Sequence, residues 1–462
     1  MWLTLGLILG TLFVVGLVVT ALAPVRAAAA LASATNVVQL YTLSLLAIYP
    51  SLALLGWLAC WRSVLGSDLW RWPWMRALLT LTALQAASLY WSPSPLLGIR
   101  YLIYLLPLPL AAHALYRLER DAPDFARRCL YVLVLGSALE AVLVIVFRVL
   151  PSAEIAFLTR PLARLFVSPN TLDALFLEGR NNVLDAAKSG GLFVNANIAA
   201  TYLGMSAIAA WYLGRIRGSA LLRAVAVLDL GAVFCTGSKA GLICGLGIPA
   251  LLGVAGVLRS QRVNPLAVFA GGLALALGAA IFVSPLGLSL LEDYRYETLA
   301  TLGSREQIWS YATRMIEEHP LAGLGFGGWE QRFALNAFVP GAAATTVPPH
   351  NSLFILWLQS GLPGVLGGLA LIATVYAAAV RVAGSRDWDT RTLAVGVAGA
   401  FTWYLVQGLG ENFGLIGEVH MTPLLGALLG TLCARFDGAT VRNEHSSQSV
   451  RGLAAPSTIP AV

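Results

Sequence analysis

The chain has 462 residues, 58% of them hydrophobic and only 11% charged. A soluble protein carries about a quarter charged residues, and one soluble core cannot house this much apolar sequence, so the composition excludes a soluble domain and requires lipid as solvent. The formal charge of +7 does not point to nucleic acid, because the basic residues punctuate the apolar runs and form no patch.

In chain order, apolar runs near the length needed to cross a hydrocarbon layer of roughly 30 Å occupy 2–23, 37–61, 73–91, 97–116, 129–150, 190–213, 221–236, 240–258, 266–284, 353–380, 393–410 and 417–434. The expected fold is all-α, a polytopic membrane bundle of about twelve helices over residues 1–434. The seventh and eighth runs are short and closely spaced. The first run lacks a basic leader and is read as a retained helix, since an even span count needs it.

The basic residues set the expected orientation. Arg62 and Arg71, then Arg117, Arg120, Arg127 and Arg128, then Arg215, Arg217 and Arg223 fall in alternate connections. Arg259 and Arg262, then Arg381, Arg386 and Arg391, and finally Arg435, Arg442 and Arg451 continue the series. This is the positive-inside pattern of a bacterial inner-membrane protein with both termini cytoplasmic. The tail 435–462 is polar and expected to be a disordered cytoplasmic segment.

Two outward segments, 151–190 and 286–351, are long, and both are expected to be periplasmic and to contain short helices. They carry Arg160, Arg164, Arg180, Lys188, Arg295, Arg305, Arg314 and Arg332. Such a basic surface suits an anionic ligand, and equally suits lipid headgroups or local carboxylates such as Glu178, Glu306 and Glu317.

In the second segment Ser304 and Gln307 fit a capping box, and Ile308, Trp309, Ala312, Met315 and Ile316 share one helical face. His319-Pro320 ends that helix, and the glycine-rich stretch 323–328 reads as a flexible turn, with no strand before it to make a nucleotide fingerprint. Val347-Pro348-Pro349 then gives an extended entry to His350, with Asn351 or Ser352 capping the next helix. An imidazole at the water–membrane boundary can take a proton from a hydroxyl, and can equally be a hydrogen-bonded cap with no chemistry.

Polar groups inside the runs are Arg100, Glu140, Asp229 and Gln407, with Glu411 and His420 placed to line an outward cavity. Glu140 is a candidate partner of Arg100. Asp387-Trp388-Asp389 lies in an inward loop and is read as local ion pairing; the five cysteines show no metal or redox spacing.

His350-Asn351, nine residues, then Gly361-Leu362-Pro363-Gly364 resembles the signature of O-antigen ligases and their relatives. The block from Arg305 and Trp309 through His319-Pro320-Leu321-Ala322-Gly323 is similar to the same family, as is Phe193-Val194-Asn195-Ala196-Asn197 at the opening of a span. The resemblance implies a metal-independent C-type membrane glycosyltransferase with no cofactor. Its donor would be an undecaprenyl-diphosphate-linked glycan and its acceptor lipid A–core, in a membrane of inner-membrane lipids. Matched by motif, His350 and Arg305 are the expected catalytic residues. Lys239, Arg180, Lys188, Arg314, Asn351, Asn195 and Asn197 are the expected substrate-binding ones. Where the family commonly has Ser-Arg after the seventh span, this chain has Ser238-Lys239, which keeps the charge and loses the bidentate fork. Within the family the ligase is favoured and the O-antigen polymerase is the alternative. The protein transferase is disfavoured by the short tail. From another class, a secondary transporter or lipid flippase would account for the spans but not for the long outward loops.

Overall fold

The computed structural model describes residues 2–44, 49–177, 185, 187–260, 305–336, 348–411, 413, 415 and 417–453. The expected span 266–284, Arg180, Arg295 and Ser304 lie outside these. Among the described residues helices dominate and no strand forms; one isolated bridge pairs Tyr41 with Ser51.

The helices are α1 (Trp2–Leu22), α2 (Val25–Thr35), α3 (Leu52–Ala59), α4 (Pro73–Ser88), α5 (Pro95–Leu105), α6 (Pro107–Asp121) and α7 (Pro123–Val149). Then come α8 (Pro151–Leu158), α9 (Pro169–Leu177), α10 (Ala196–Arg217), α11 (Ala220–Cys235) and α12 (Lys239–Ser260). After the second loop's helices α13 (305–318) and α14 (Gly328–Asn336), the chain finishes with α15 (Ser352–Ala383), α16 (Trp388–Gly408) and α17 (Met421–Leu453). Thr4–Leu22, Pro95–Asp121, Pro123–Val149 and Ser352–Ala383 are each long and apolar enough to cross a membrane unaided. The architecture is a helical membrane bundle. α17 continues past the apolar run that ends at 434.

The amino-terminal region departs from the expected two-span hairpin. Residues 36–44 and 49–51 are not helical. Pro50 donates no backbone hydrogen bond and restricts the residue before it, and Gln39 and Leu40 take φ of 56° and 55°. The exposed backbone groups are met internally, with Thr42 N donating to Pro50 O at 2.9 Å, Leu52 N to Leu40 O at 3.1 Å and Tyr41 N to Leu165 O at 2.8 Å. Irregular backbone at membrane depth survives only with such partners.

α1 runs in the same direction as the stretch leading to Arg62. Gly10 lies beside Leu43, Thr20 Oγ1 donates to Leu55 O at 3.2 Å, and Arg62 donates to Ala21 O at 2.7 Å. α2 supplies the return pass. Thr4 and Arg62 therefore stand at opposite ends of the bundle, where an even span count puts the amino terminus on the Arg62 side.

The arginine-rich turns gather at one end. Arg117 reaches Arg62 O and Leu65 O, Arg120 pairs with Asp68 at 3.0 Å, and Arg435 pairs with Glu119 at 2.8 Å. Arg215 lies over the Trp388 ring and Arg381 over Trp72. Asp387 simply caps α16, accepting from Thr390 N at 2.9 Å. The other ends of α10 and α16 carry the groups described next.

Candidate active site

Three helix starts and one helix end converge away from the arginine-rich turns. α10 is capped by Asn195, whose Oδ1 accepts from Asn197 N at 2.9 Å and Ile198 N at 3.2 Å. α12 is capped by Ser238 Oγ, which accepts from Gly241 N. α15 is capped by Asn351, whose Oδ1 accepts from Leu353 N and Phe354 N. Each cap satisfies amides that the first turn leaves orphaned. The end of α16 then ties them together. Asn351 Nδ2 donates to Leu409 O at 3.1 Å and Ser352 Oγ to Gly408 O at 2.9 Å. Gln407 Nε2 donates to Asn197 O at 2.9 Å, and Gln407 Oε1 accepts from Trp403 Nε1 at 2.9 Å.

Glu411, just past α16 and nearly buried, joins two distant segments. One carboxylate oxygen accepts from Asn197 Nδ2 at 2.8 Å and the other meets the Arg305 guanidinium at 3.5 Å. Burial pushes this carboxyl up to about 7, against the pull of Arg305, Asn197 and Lys188. Lys188 itself pairs with Asp185 at 2.9 Å.

Arg305 opens α13, whose buried face is Ile308, Ala312 and Met315, packed on Leu324, Trp329, Phe333 and Leu358. This helix is the amphipathic element expected from the pattern, and its apolar face is covered by the loop and by α15. Trp309 Nε1 donates to Pro349 O at 2.8 Å, next to His350. The turn after α13 docks on α15: Leu324 N donates to Leu358 O at 2.6 Å, Leu362 N to Pro320 O at 3.0 Å and Trp357 Nε1 to Pro320 O at 2.9 Å. Gly361 makes this possible. It takes φ 65° and ψ −161° inside α15, and a Cβ there would lie 2.0 Å from Leu321 O. The spacing from His350 to Gly361 is thus the distance from the helix start to the seat of the docked turn.

His350 has φ 48°, and its Nδ1 is buried with no hydrogen-bond partner among the described residues. Burial first, and the Arg305 charge second, lower its pKa to about 4. At neutral pH the ring is uncharged, the form that accepts a proton.

With this geometry in place, the comparison with known families is specific. The O-antigen ligase family model matches residues 224–369. The chain carries an O-antigen ligase family domain. No curated protein matches the chain.

The O-antigen ligase segment spans Lys239, Arg305, Arg314, His350, Asn351, Gly361 and Gly364. Asn195, Asn197, Lys188 and Glu411 lie outside it and reach its residues only through folding. Of the expected residues, the fold brings His350, Arg305, Asn351, Asn195, Asn197 and Lys188 into one region. Lys239 begins α12, directly after the Ser238 cap. Arg314 is exposed on the face of α13 opposite the buried residues. The sequence presents Gln407 as a polar group inside an apolar run and Glu411 as one placed to line an outward cavity. No pattern in the sequence marked Glu411 as the partner of Arg305, because more than a hundred residues separate them.

Proposed function

We propose that the protein transfers O-antigen polysaccharide from undecaprenyl diphosphate to lipid A–core at the outward face of the bacterial inner membrane. The observation that supports this best is an uncharged, half-buried imidazole, His350, lying within the field of a guanidinium, Arg305, that Glu411 holds in place. The acceptor hydroxyl gives its proton to His350 as its oxygen bonds to the anomeric carbon of the donor. The bond from that carbon to the diphosphate oxygen breaks, and the electron pair leaves with the phosphate. Arg305 faces the charge that develops there, with Lys188 and Lys239 adding positive potential; such preorganised donors typically contribute about 10²- to 10³-fold. Arriving diphosphate also offsets the Arg305 charge that depresses His350, so the imidazole becomes a better base when donor is bound.

The arginine-rich turns would face the cytoplasm and segments 151–190 and 286–351 the periplasm. On that orientation the Thr4 end of α1 faces outward. We retain about twelve spans with 266–284 among them, α2 adding a short pass.

The test is purified protein with lipid-linked glycan and lipid A–core. Transfer without any ion gradient is expected, and its loss in His350→Ala with membrane insertion intact. A wild-type protein that transfers nothing, or an active His350→Ala, overturns the reading. In a deletion strain, loss of all attached chains with lipid-linked polymer retained is the ligase outcome, and a single attached repeat is the polymerase outcome.

A further inference from the structure

Glu140 lies mid-way along α7 and is fully buried. In place of an arginine, its carboxylate meets the backbone that leads into α10. Oε2 accepts from Leu192 N at 3.0 Å and Oε1 from Phe193 N at 3.5 Å. Glu154, in α8 and 2% exposed, lies beside the amide of Gly190. Amides from residues 192 and 193 thus converge on Glu140, with Glu154 beside the amide of residue 190.

The turn they grip is strained. Gly191 has φ 56° and Val194 φ 62°. A β-branched residue at positive φ is an outlier that costs of order 1–3 kcal/mol and persists only where its surroundings over-determine it. A Cβ on Gly191 would lie 2.3 Å from Glu140 Oε1, and one on Gly190 would lie 2.3 Å from Val194 C. Consecutive amides in such a turn form a concave anion-binding nest. Here the acceptor oxygens are built in, so these amides are not open to a substrate phosphate, although a paired glycine beside the site invites that assignment.

What leaves the turn is the catalytic frame. Asn195 caps α10 one residue after Val194, and Asn197 Nδ2 reaches Glu411, which holds Arg305. The Phe193 ring packs on His420 with centroids 3.9 Å apart. Any slackening of residues 190–194 is passed through Asn197 and Glu411 to the guanidinium.

We propose that Glu140 and Glu154 are positioning residues for glycan transfer: they clamp the 190–194 turn and thereby fix where Arg305 points. This rests on the transfer activity proposed above. Neither acid touches substrate. A carboxylate that served only bundle stability would lower the amount of folded protein without changing how strongly turnover depends on Arg305.

The experiment uses the full-length protein in lipid nanodiscs. Glu140→Gln keeps the volume and one acceptor oxygen but presents an NH2 group to the second amide. Expected are at least tenfold faster hydrogen exchange in the peptide spanning 188–197, unchanged exchange in α15, and a kcat at least tenfold lower with donor KM within twofold. Arg305→Lys should then cost much less in the Glu140→Gln background than in wild type, since the two act through one linkage. Unchanged exchange, a wild-type kcat, or an equal cost of Arg305→Lys in both backgrounds overturns the proposal. Should Glu140→Gln fail to fold, Glu154→Gln, outside the spans, carries the same readouts. A wild-type protein that transfers no glycan defeats the function reading and this role with it, while faster exchange in the variant would still establish the clamp as a structural contact.

Discussion

Replacing Gly361 with Ala puts the docking of the second loop to a direct test. The backbone at φ 65° and ψ −161° belongs to a region that glycine alone occupies readily, so any side chain costs about 1–3 kcal/mol there. The new Cβ would also lie 2.0 Å from Leu321 O and 2.3 Å from Leu321 C, and neither backbone atom can rotate aside. Relief requires the 320–324 turn to lift. That breaks Leu324 N to Leu358 O, Leu362 N to Pro320 O and Trp357 Nε1 to Pro320 O, each a contribution of roughly 0.5–1.5 kcal/mol. The total is roughly 2.5–7.5 kcal/mol against the docked arrangement. Even the lower figure corresponds to about seventyfold in rate if only the docked form turns over. The assay is glycan transfer by purified protein, with the thermal midpoint measured alongside. Gly367→Ala is the control on the same helix, since its Cβ would meet nothing nearer than Leu81 Cδ1 at 3.4 Å. A Gly361→Ala protein with wild-type transfer and an unshifted midpoint would refute the claim that this glycine seats the turn.

Three further outcomes are expected. Glu411 binds Arg305 as a carboxylate, and its burial-raised pKa of about 7 means the pair is present above neutral pH and lost as pH falls through 7; kcat/KM should therefore rise through pH 7 in wild type but not in Glu411→Gln. In that variant the acid limb should belong to His350 and lie near 4, because the base form exists above its lowered pKa; a limb near 6.5 would contradict the burial argument. Arg305→Ala should cut kcat by about 10²- to 10³-fold, while the exposed Arg314→Ala changes it less than twofold, and equal effects would show that the loop cations act only in bulk. Gln407→Glu replaces a donor with an acceptor facing Asn197 O, which keeps its bond from Thr201 Oγ1 but loses this one and meets a second oxygen, at about 1–3 kcal/mol, and a thermal midpoint equal to wild type would count against the Gln407 tie.

Much of the fold follows from periodicity and charge. The apolar runs at 129–150, 221–236, 240–258 and 353–380 correspond closely to α7, α11, α12 and α15, because in lipid a long apolar stretch has few conformations besides the helix. Asn351 caps its helix as its position before an apolar run implies. The region before Arg62 was not legible in the same way. Hydropathy sees 37–61 as one run, and only Pro50 hints at the break, whereas the passes of α1 and α2 depend on tertiary contacts such as Thr20 with Leu55. The site divides likewise. His350 and Arg305 stand in recognisable local motifs. Glu411, Gln407 and the Glu140 clamp act through partners 52 to 214 residues away, and no local pattern encodes such pairings.

The indole bond from Trp309 to Pro349 has a mechanical consequence. α13 is bolted to the segment around His350 at two places, once at Trp309 beside the imidazole and once where its following turn sits on α15. Arg305 and His350 are therefore mounted on one arm. In the proposed transfer, a donor headgroup that draws the guanidinium toward itself would carry the imidazole along, so the two would not be brought into play one at a time.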